Sequence, residues 1–184
     1  MTISPTMNPS VSGMLRFRYL RASEVDELAE LWQGLHRHHV ASTPHLDDLI
    51  SPVNDDESWQ RRRRHYAAWL AEPDTLAILA ERDGTKLGYA MVTVQQDRRG
   101  SWNRGERVAT LQTLTVAPEH RRQGVGSALL EEVRRQLGAS GISDLELAAV
   151  SGNEEAMRFY EREGFRPFVT TMVTRLGPAA GPHD

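Results

Sequence analysis

VATLQTLTVAPEHRRQGVGSALL, residues 108–130, is the stretch from which the rest of the chain can be read. Val108 to Val116 reads as a strand. From Val125 onward, Val125, Leu129, Leu130, Val133 and Leu137 recur at helical spacing, and the run stops near Gly138. The connection between strand and helix carries Arg121, Arg122, Gln123 and Gly124. A helix N-terminus presents unpaired N–H groups and partial positive charge. Gly124 and Gly126 remove side chains from that end, so an anion can approach the backbone closely. Arg121 and Arg122 add charge beside it, and the group best matched is a phosphate or pyrophosphate. The same residues also suit a plain glycine-containing helix start with incidental arginines.

Two familiar phosphate motifs are excluded. No G-x-x-x-x-G-K-[ST] run is present, so this is not a Walker A loop. A dinucleotide fingerprint wants a small residue where Leu129 stands. The strand itself is out of phase: Leu111, Leu114 and Val116 cannot share one face of a regular period-2 strand. A bulge near Gln112–Thr113 would restore the phase and free backbone groups to face a ligand. A strand buried on both faces needs no alternation and is the other reading.

Arg121-Arg122-Gln123-Gly124-Val125-Gly126 matches the pattern [QR]-x-x-G-x-[GA], preceded by L-x-V-x-P at Leu114, Val116 and Pro118. A second stretch, NEEAMRFYEREGF, matches N-x-x-A-x-x-x-Y-x-x-x-G-F at Asn153, Ala156, Tyr160, Gly164 and Phe165. Both motifs, in this order and separated by one helix and one strand, resemble the GNAT superfamily of acetyl-CoA-dependent N-acetyltransferases. The order of elements from Leu15 to Thr174 is similar to that family too.

The resemblance implies a mixed, mostly antiparallel central sheet with helices on both faces. It implies that the backbone of Arg121, Arg122, Gln123, Gly124, Val125, Gly126 and Ser127 holds the pyrophosphate of coenzyme A. Leu114, Thr115 and Val116 would lie along the pantetheine arm like a neighbouring strand. The Leu114 N–H would polarise the thioester carbonyl, where negative charge develops. Asn153 and Ala156 would border the same arm, and Tyr160 would protonate the departing thiolate. Tyr160 also suits a core aromatic on the face shared with Ala156, and Asn153 suits the first turn of a helix.

A base is harder to find. A lysine-like amine with a pKa of about 10.4 costs roughly 4–5 kcal/mol to present in its neutral form at pH 7. Some family members carry Glu or His at the positions of Thr110 and Gln112, and neither residue here accepts a proton at neutral pH. Ordered water, a residue elsewhere such as Glu81, or bulk solvent remain. The implied reaction is direct acetyl transfer to a primary amine of a small molecule or peptide. Its rivals are a CoA-binding module that senses without turnover, and transfer of a longer acyl group.

Elsewhere the elements alternate. Leu15–Leu20 reads as a strand, and Ser23 resembles a cap, with Asp26 three residues on, for a helix through Leu28, Leu31, Trp32 and Leu35. Residues 36–54 read as irregular, broken by Pro44 and Pro52. A second helix carries Trp59, Tyr66, Trp69 and Leu70. Strands over 75–80 and 87–94 flank Asp83-Gly84, a hairpin signal. Residues 145–150 read as a strand, Ser151 as the cap of a helix ending near Gly164, and 165–174 as a last strand. The expected limits are an N-terminal arm over 1–13, one domain over 14–176 and a tail over 177–184.

The composition fits one globular α/β or α+β domain of 184 residues, 39% hydrophobic and 26% charged. A net charge of −3 argues against general nucleic-acid binding. No cysteine is present, which removes thiolate nucleophiles and disulfides. No apolar run approaches the roughly 20 residues that span a bilayer, and the start does not read as a signal peptide, so the cytoplasm is the expected location. The resemblance leaves a homodimer possible and requires no metal. His36, His38, His39 and His45 cluster near Asp47 and Asp48, and the resemblance implies that this segment borders the acceptor pocket and is not a metal site. Arg61 to Arg64 read as a solvated helix face, and Trp102 as an acceptor-site, dimer or loop-anchoring residue.

Overall fold

The computed structural model of the chain describes residues 13–96 and 101–176. The expected tail, all but the last residue of the expected arm, and part of the polar loop after 96 lie outside these residues. Strand β1 (Arg16–Tyr19) leads through a 3-10 segment (Ala22–Leu28) into helix α1 (Ala29–Ala41), and helix α2 (Asp55–Trp69) follows. Strands β2 (Leu76–Arg82), β3 (Thr85–Gln96) and β4 (Arg107–Val116) come next. Helix α3 (Val125–Ala139), strand β5 (Asp144–Leu147) and helix α4 (Glu154–Arg162) complete the order.

The sheet runs β1-β2-β3-β4-β5, antiparallel except for the parallel β4–β5 pair. Asp83 and Gly84, both at positive φ, close the β2–β3 hairpin. Alternation along β2 and β3 divides the core in two. Ala77, Leu79, Tyr89 and Met91 meet Leu28, Trp32, Leu35 and Tyr66 of the first two helices and their approach. Ile78, Ala80, Ala90 and Val92 meet Leu129, Leu130, Val133 and Leu137 of α3 on the opposite face. Each large side chain buried this way contributes about 1.5–3 kcal/mol. The mixed sheet with helices on both faces agrees with the fold class read from the sequence.

Local departures have physical causes. The first helical segment starts at Arg21, not Ser23, because the Glu24 carboxylate accepts from the Arg21 N–H at 2.9 Å. Helix α1 runs on through His36, His38 and His39, since no breaker precedes Pro44. It ends where the Ser42 and Thr43 hydroxyls donate back to the carbonyls of His38 and His39 at 2.8 and 3.0 Å. Asn153, not Ser151, caps α4 by accepting from the Ala156 N–H at 3.1 Å. The expected strand over 165–174 does not form. Its Val/Thr/Met pattern suits a strand, but a strand also needs a partner edge, and none pairs with it among the described residues. Phe168, Val169, Met172 and Leu176 are left exposed.

Candidate functional site

The site begins with the phase problem in β4. Met91 of β3 pairs with Thr113 and the next residue, Val92, pairs with Leu111, so Gln112 is an extra, bulged residue. The bulge puts Leu111, Leu114 and Val116 on one face, toward α3 and α4. It also coincides with the end of the parallel ladder, whose last pair is Leu111–Leu147. Beyond that point β4 keeps β3 on one side and, among the described residues, has no strand on the other. The Ala117 N–H donates to the Leu87 carbonyl of β3 at 2.8 Å. Because backbone groups alternate sides along a strand, the polar groups of Leu114 and Val116 therefore point to the open side.

The loop that follows is shaped by two left-handed residues, Arg122 at φ 59° and Gly124 at φ 80°. Glycine adopts that conformation without penalty. The Ala128 N–H is the first to bond back, to the Gly124 carbonyl at 3.0 Å. The amides of Val125, Gly126 and Ser127 thus have no acceptor within the helix, as at any helix start. Arg121 donates through Nε to the Val116 carbonyl at 3.3 Å, which ties the loop to the open strand. Arg121 and Arg122 both approach the Glu155 carboxylate of α4, at 4.0 and 3.8 Å.

A cavity of about 280 Å³ joins these features. Its walls include Leu114, Thr115, Val116, Arg121, Arg122, Gly124, Gly126, Ser127, Asn153, Ala156 and Tyr160. The structure thus brings together most of the residues expected from the sequence. Val125 is buried in the core and Gln123 turns its amide back onto the Glu119 carbonyl at 3.1 Å, so neither side chain lines the wall. Leu35, His38, His120, Glu155, Phe159 and Arg162 line it as well. Sequence reading gave only one signal for these, the histidine cluster near the first helix.

Tyr160 stacks edge-on between Phe159 and Phe165, at centroid distances of 5.3 and 5.6 Å. Burial pushes its phenol up to about 12, so it holds its proton throughout the neutral range. Asn153 is buried; its carbonyl oxygen is used in the cap, which leaves the side-chain NH2 to donate.

Candidate bases sort themselves by their partners. The Gln112 amide donates to the Thr93 hydroxyl at 2.9 Å, and the Thr110 hydroxyl is buried without a partner among the described residues. Glu81, on β2, is held by Arg18 at 3.2 Å and does not line the cavity. Of the histidines, His36 Nε2 lies 2.9 Å from the Val53 carbonyl. Burial, then the neighbouring His38, His36 and Arg62, hold His39 down to about 4, which keeps it neutral. His38 alone of the three lines the cavity. Among the described residues, no three or more His, Cys, Asp or Glu side chains are grouped to hold a metal.

The arginine run is not a uniform solvated face. Arg62 lies 4.2 Å over the Trp32 ring and Arg63 pairs bidentately with Asp26 at 2.5 and 2.9 Å. Arg61 pairs with Glu57. Trp102 is exposed, packs edge-on to Phe168 at 5.6 Å and lies outside the cavity walls.

A profile of the acetyltransferase (GNAT) family matches residues 32–165. A mycothiol acetyltransferase of Nocardiopsis dassonvillei is 26% identical over 174 residues, which cover 92% of this chain and 48% of that protein. The chain thus spans about half the length of the curated relative it matches. A GCN5-related N-acetyltransferase of Ralstonia eutropha JMP134 superposes with a TM-score of 0.69 at 18% identity, over 89% of this chain and 99% of that one. An aminoglycoside N-acetyltransferase solved in complex with CoA superposes at 0.65 with 17% identity, over 92% and 99%. At such identities these two structures share the fold.

Proposed function

The chain belongs to the acetyltransferase (GNAT) family, and on that premise we propose that it is an acetyl-CoA-dependent N-acetyltransferase acting directly on a primary amine of a small molecule or peptide. The observation that carries this reading is the continuity of one cavity. It runs from the open edge of β4 at Leu114 and Val116 to the unpaired amides at the start of α3, with Tyr160 in its wall. An extended chain bearing amide groups suits the first, a pyrophosphate suits the second, and the residues present therefore fit acetyl-CoA.

When bound, acetyl-CoA supplies an activated acyl group, which passes to the amine as a C–N bond forms and the C–S bond breaks. The amides of Gly126 and Ser127, with Arg121 and Arg122, neutralise the pyrophosphate. Leu114 and Val116 offer N–H and C=O groups to the pantetheine arm, as an edge strand does to an added strand. The Leu114 N–H also serves the developing negative charge on the carbonyl oxygen. Tyr160 keeps its proton until the sulfur departs and then gives it up. We retain the cytoplasm as location, with neither nucleic acid nor membrane as partner, and a homodimer as the assembly to test.

The lack of a base at Thr110 and Gln112 favours a second reading, a CoA-binding module without turnover. Release of free CoA thiol from acetyl-CoA, measured with kanamycin, spermidine and an alanyl peptide, separates the two. Amine-dependent release supports the enzyme. Binding without release from any amine supports the module.

A further inference from the structure

We propose that His38 accepts the proton of the incoming ammonium group, an assignment that rests on the acetyltransferase reading above. The chemistry requires such an acceptor, because an amine is mostly protonated at neutral pH and only the free base attacks. The strand positions that could supply one are occupied by Thr110 and Gln112, and the Gln112 amide is committed to Thr93.

The side chains around the cavity narrow the choice. Arg121, Arg122 and Arg162 are permanent cations, and Tyr160 is held in its protonated form. Glu155 sits against Arg121 and Arg122 at the phosphate end, and His120 immediately precedes Arg121 in that same loop. His38 remains. It lies one turn along α1 from Leu35, which lines the same cavity, so the two share a helix face. His38 is half-buried, and among the described residues its ring makes no hydrogen bond. His36 is turned to the Val53 carbonyl, and the neutral ring of His39 lies beside that of His38, with centroids 6.5 Å apart. Imidazole is also the side chain whose ordinary protonation equilibrium lies nearest neutral pH.

The backbone carrying His38 is fixed in place. Its carbonyl accepts from both the N–H and the hydroxyl of Ser42, at 3.1 and 2.8 Å. Ser42 in turn abuts Gly152 of the β5–α4 connection so closely that a Cβ there would collide with the Ser42 carbonyl oxygen. The end of α1 therefore lies directly against the loop that leads to Asn153 and Tyr160.

The proton account closes. His38 takes one proton from the ammonium and passes it to solvent. The amine nitrogen then bonds to the acetyl carbon as the C–S bond breaks with its electron pair going to sulfur. The sulfur takes the phenolic proton of Tyr160, and the phenolate recovers the second proton of the nitrogen.

The test compares wild type with His38→Gln and His38→Ala, using whichever of kanamycin, spermidine or an alanyl peptide the wild type acetylates. The expected result is a loss in kcat/KM of about 10²-fold near neutral pH, shrinking as pH rises toward the pKa of the amine. CoA affinity by calorimetry should change by less than about threefold, under 0.7 kcal/mol, and added imidazole should restore part of the His38→Ala rate. Variants that keep the wild-type rate and pH profile overturn the His38 assignment alone. So does a rate loss matched by an equal loss of CoA affinity. A wild type that binds CoA yet acetylates none of these amines overturns the acetyltransferase reading, and the His38 assignment with it.

Discussion

The hydroxyl of Tyr66 lies 2.6 Å from the hydroxyl of Thr113, and the bond joins helix α2 to the bulge in β4 inside the core. Tyr66 is fully buried, as is Tyr89, whose hydroxyl lies 3.0 Å away on the other side. The three hydroxyls satisfy one another where water does not reach. The bulge makes this possible, because it turns Thr113 toward α2 while Leu114 faces α3 and α4.

Removing one member therefore strands the others. Tyr66→Phe and Thr113→Val should each cost about 1–3 kcal/mol of stability, the penalty of an unsatisfied buried polar group. The double variant should cost less than the sum, since it removes the pair together. Denaturant unfolding of the four proteins checks this. Additive losses would show that the two hydroxyls do not act on each other.

The two glycines at the start of α3 should fail for different reasons. Gly124 has open space around its missing Cβ but a φ of 80°, so Gly124→Val strains the loop backbone itself. At Gly126 the limit is contact: a Cβ would stand 3.4 Å from the Phe159 ring, and a longer side chain would fill the cavity between them. Gly126→Leu should weaken CoA binding at least tenfold, about 1.4 kcal/mol, in a protein that still unfolds cooperatively. Unchanged affinity in both variants would remove the phosphate cradle from the α3 start.

Tyr160→Phe should lower kcat toward the low end of the ~10²–10⁴ range of acid–base effects, because a thiolate leaving group is only mildly basic. Since burial holds the phenol near 12, the wild-type rate should show no alkaline fall from this group across the neutral and mildly alkaline range. A Tyr160→Phe enzyme with normal turnover would assign the ring to packing against Phe159 and Phe165.

Acid should destabilise the protein in a definable window. Hydrogen bonds from Arg18 first, then Lys86, hold Glu27 down to about 2, and Arg135 first does the same for Glu132. Both folded values lie below the ordinary 4.5. Their contribution is therefore present above 4.5 and fades as pH falls through about 2. Tm followed from neutral pH downward should decline across that interval, and Glu27→Gln should flatten the decline. An unaltered slope in the variant would mean the Arg18 cluster does not contribute to acid sensitivity.

Much of this arrangement was legible in the sequence because it is written in local pattern. The broken alternation at Leu111, Leu114 and Val116 pointed to a bulge near Gln112, and the pairing of β3 with β4 has one there. Asp83-Gly84 marked the hairpin, and Gly124 with Gly126 marked a helix start facing open space. What was not legible depends on distant partners. Arg21 displaced Ser23 as the cap position because Glu24 accepts from its N–H, a side-chain bond that spacing alone does not rank. The segment over 165–174 has the composition of a strand but finds no edge to pair with among the described residues. His38 was visible only as one of four histidines, since what separates it from His36 is the Val53 carbonyl and what separates it from His39 is burial.

The central claim, that one cavity in this fold takes acetyl-CoA, is tested most directly by calorimetric titration of the purified protein with acetyl-CoA, CoA and ATP. Micromolar binding of both CoA species, with none for ATP, is the predicted result, because the open edge of β4 would pair with the pantetheine arm that ATP lacks. Absence of CoA binding, or equal binding of ATP, would contradict the account.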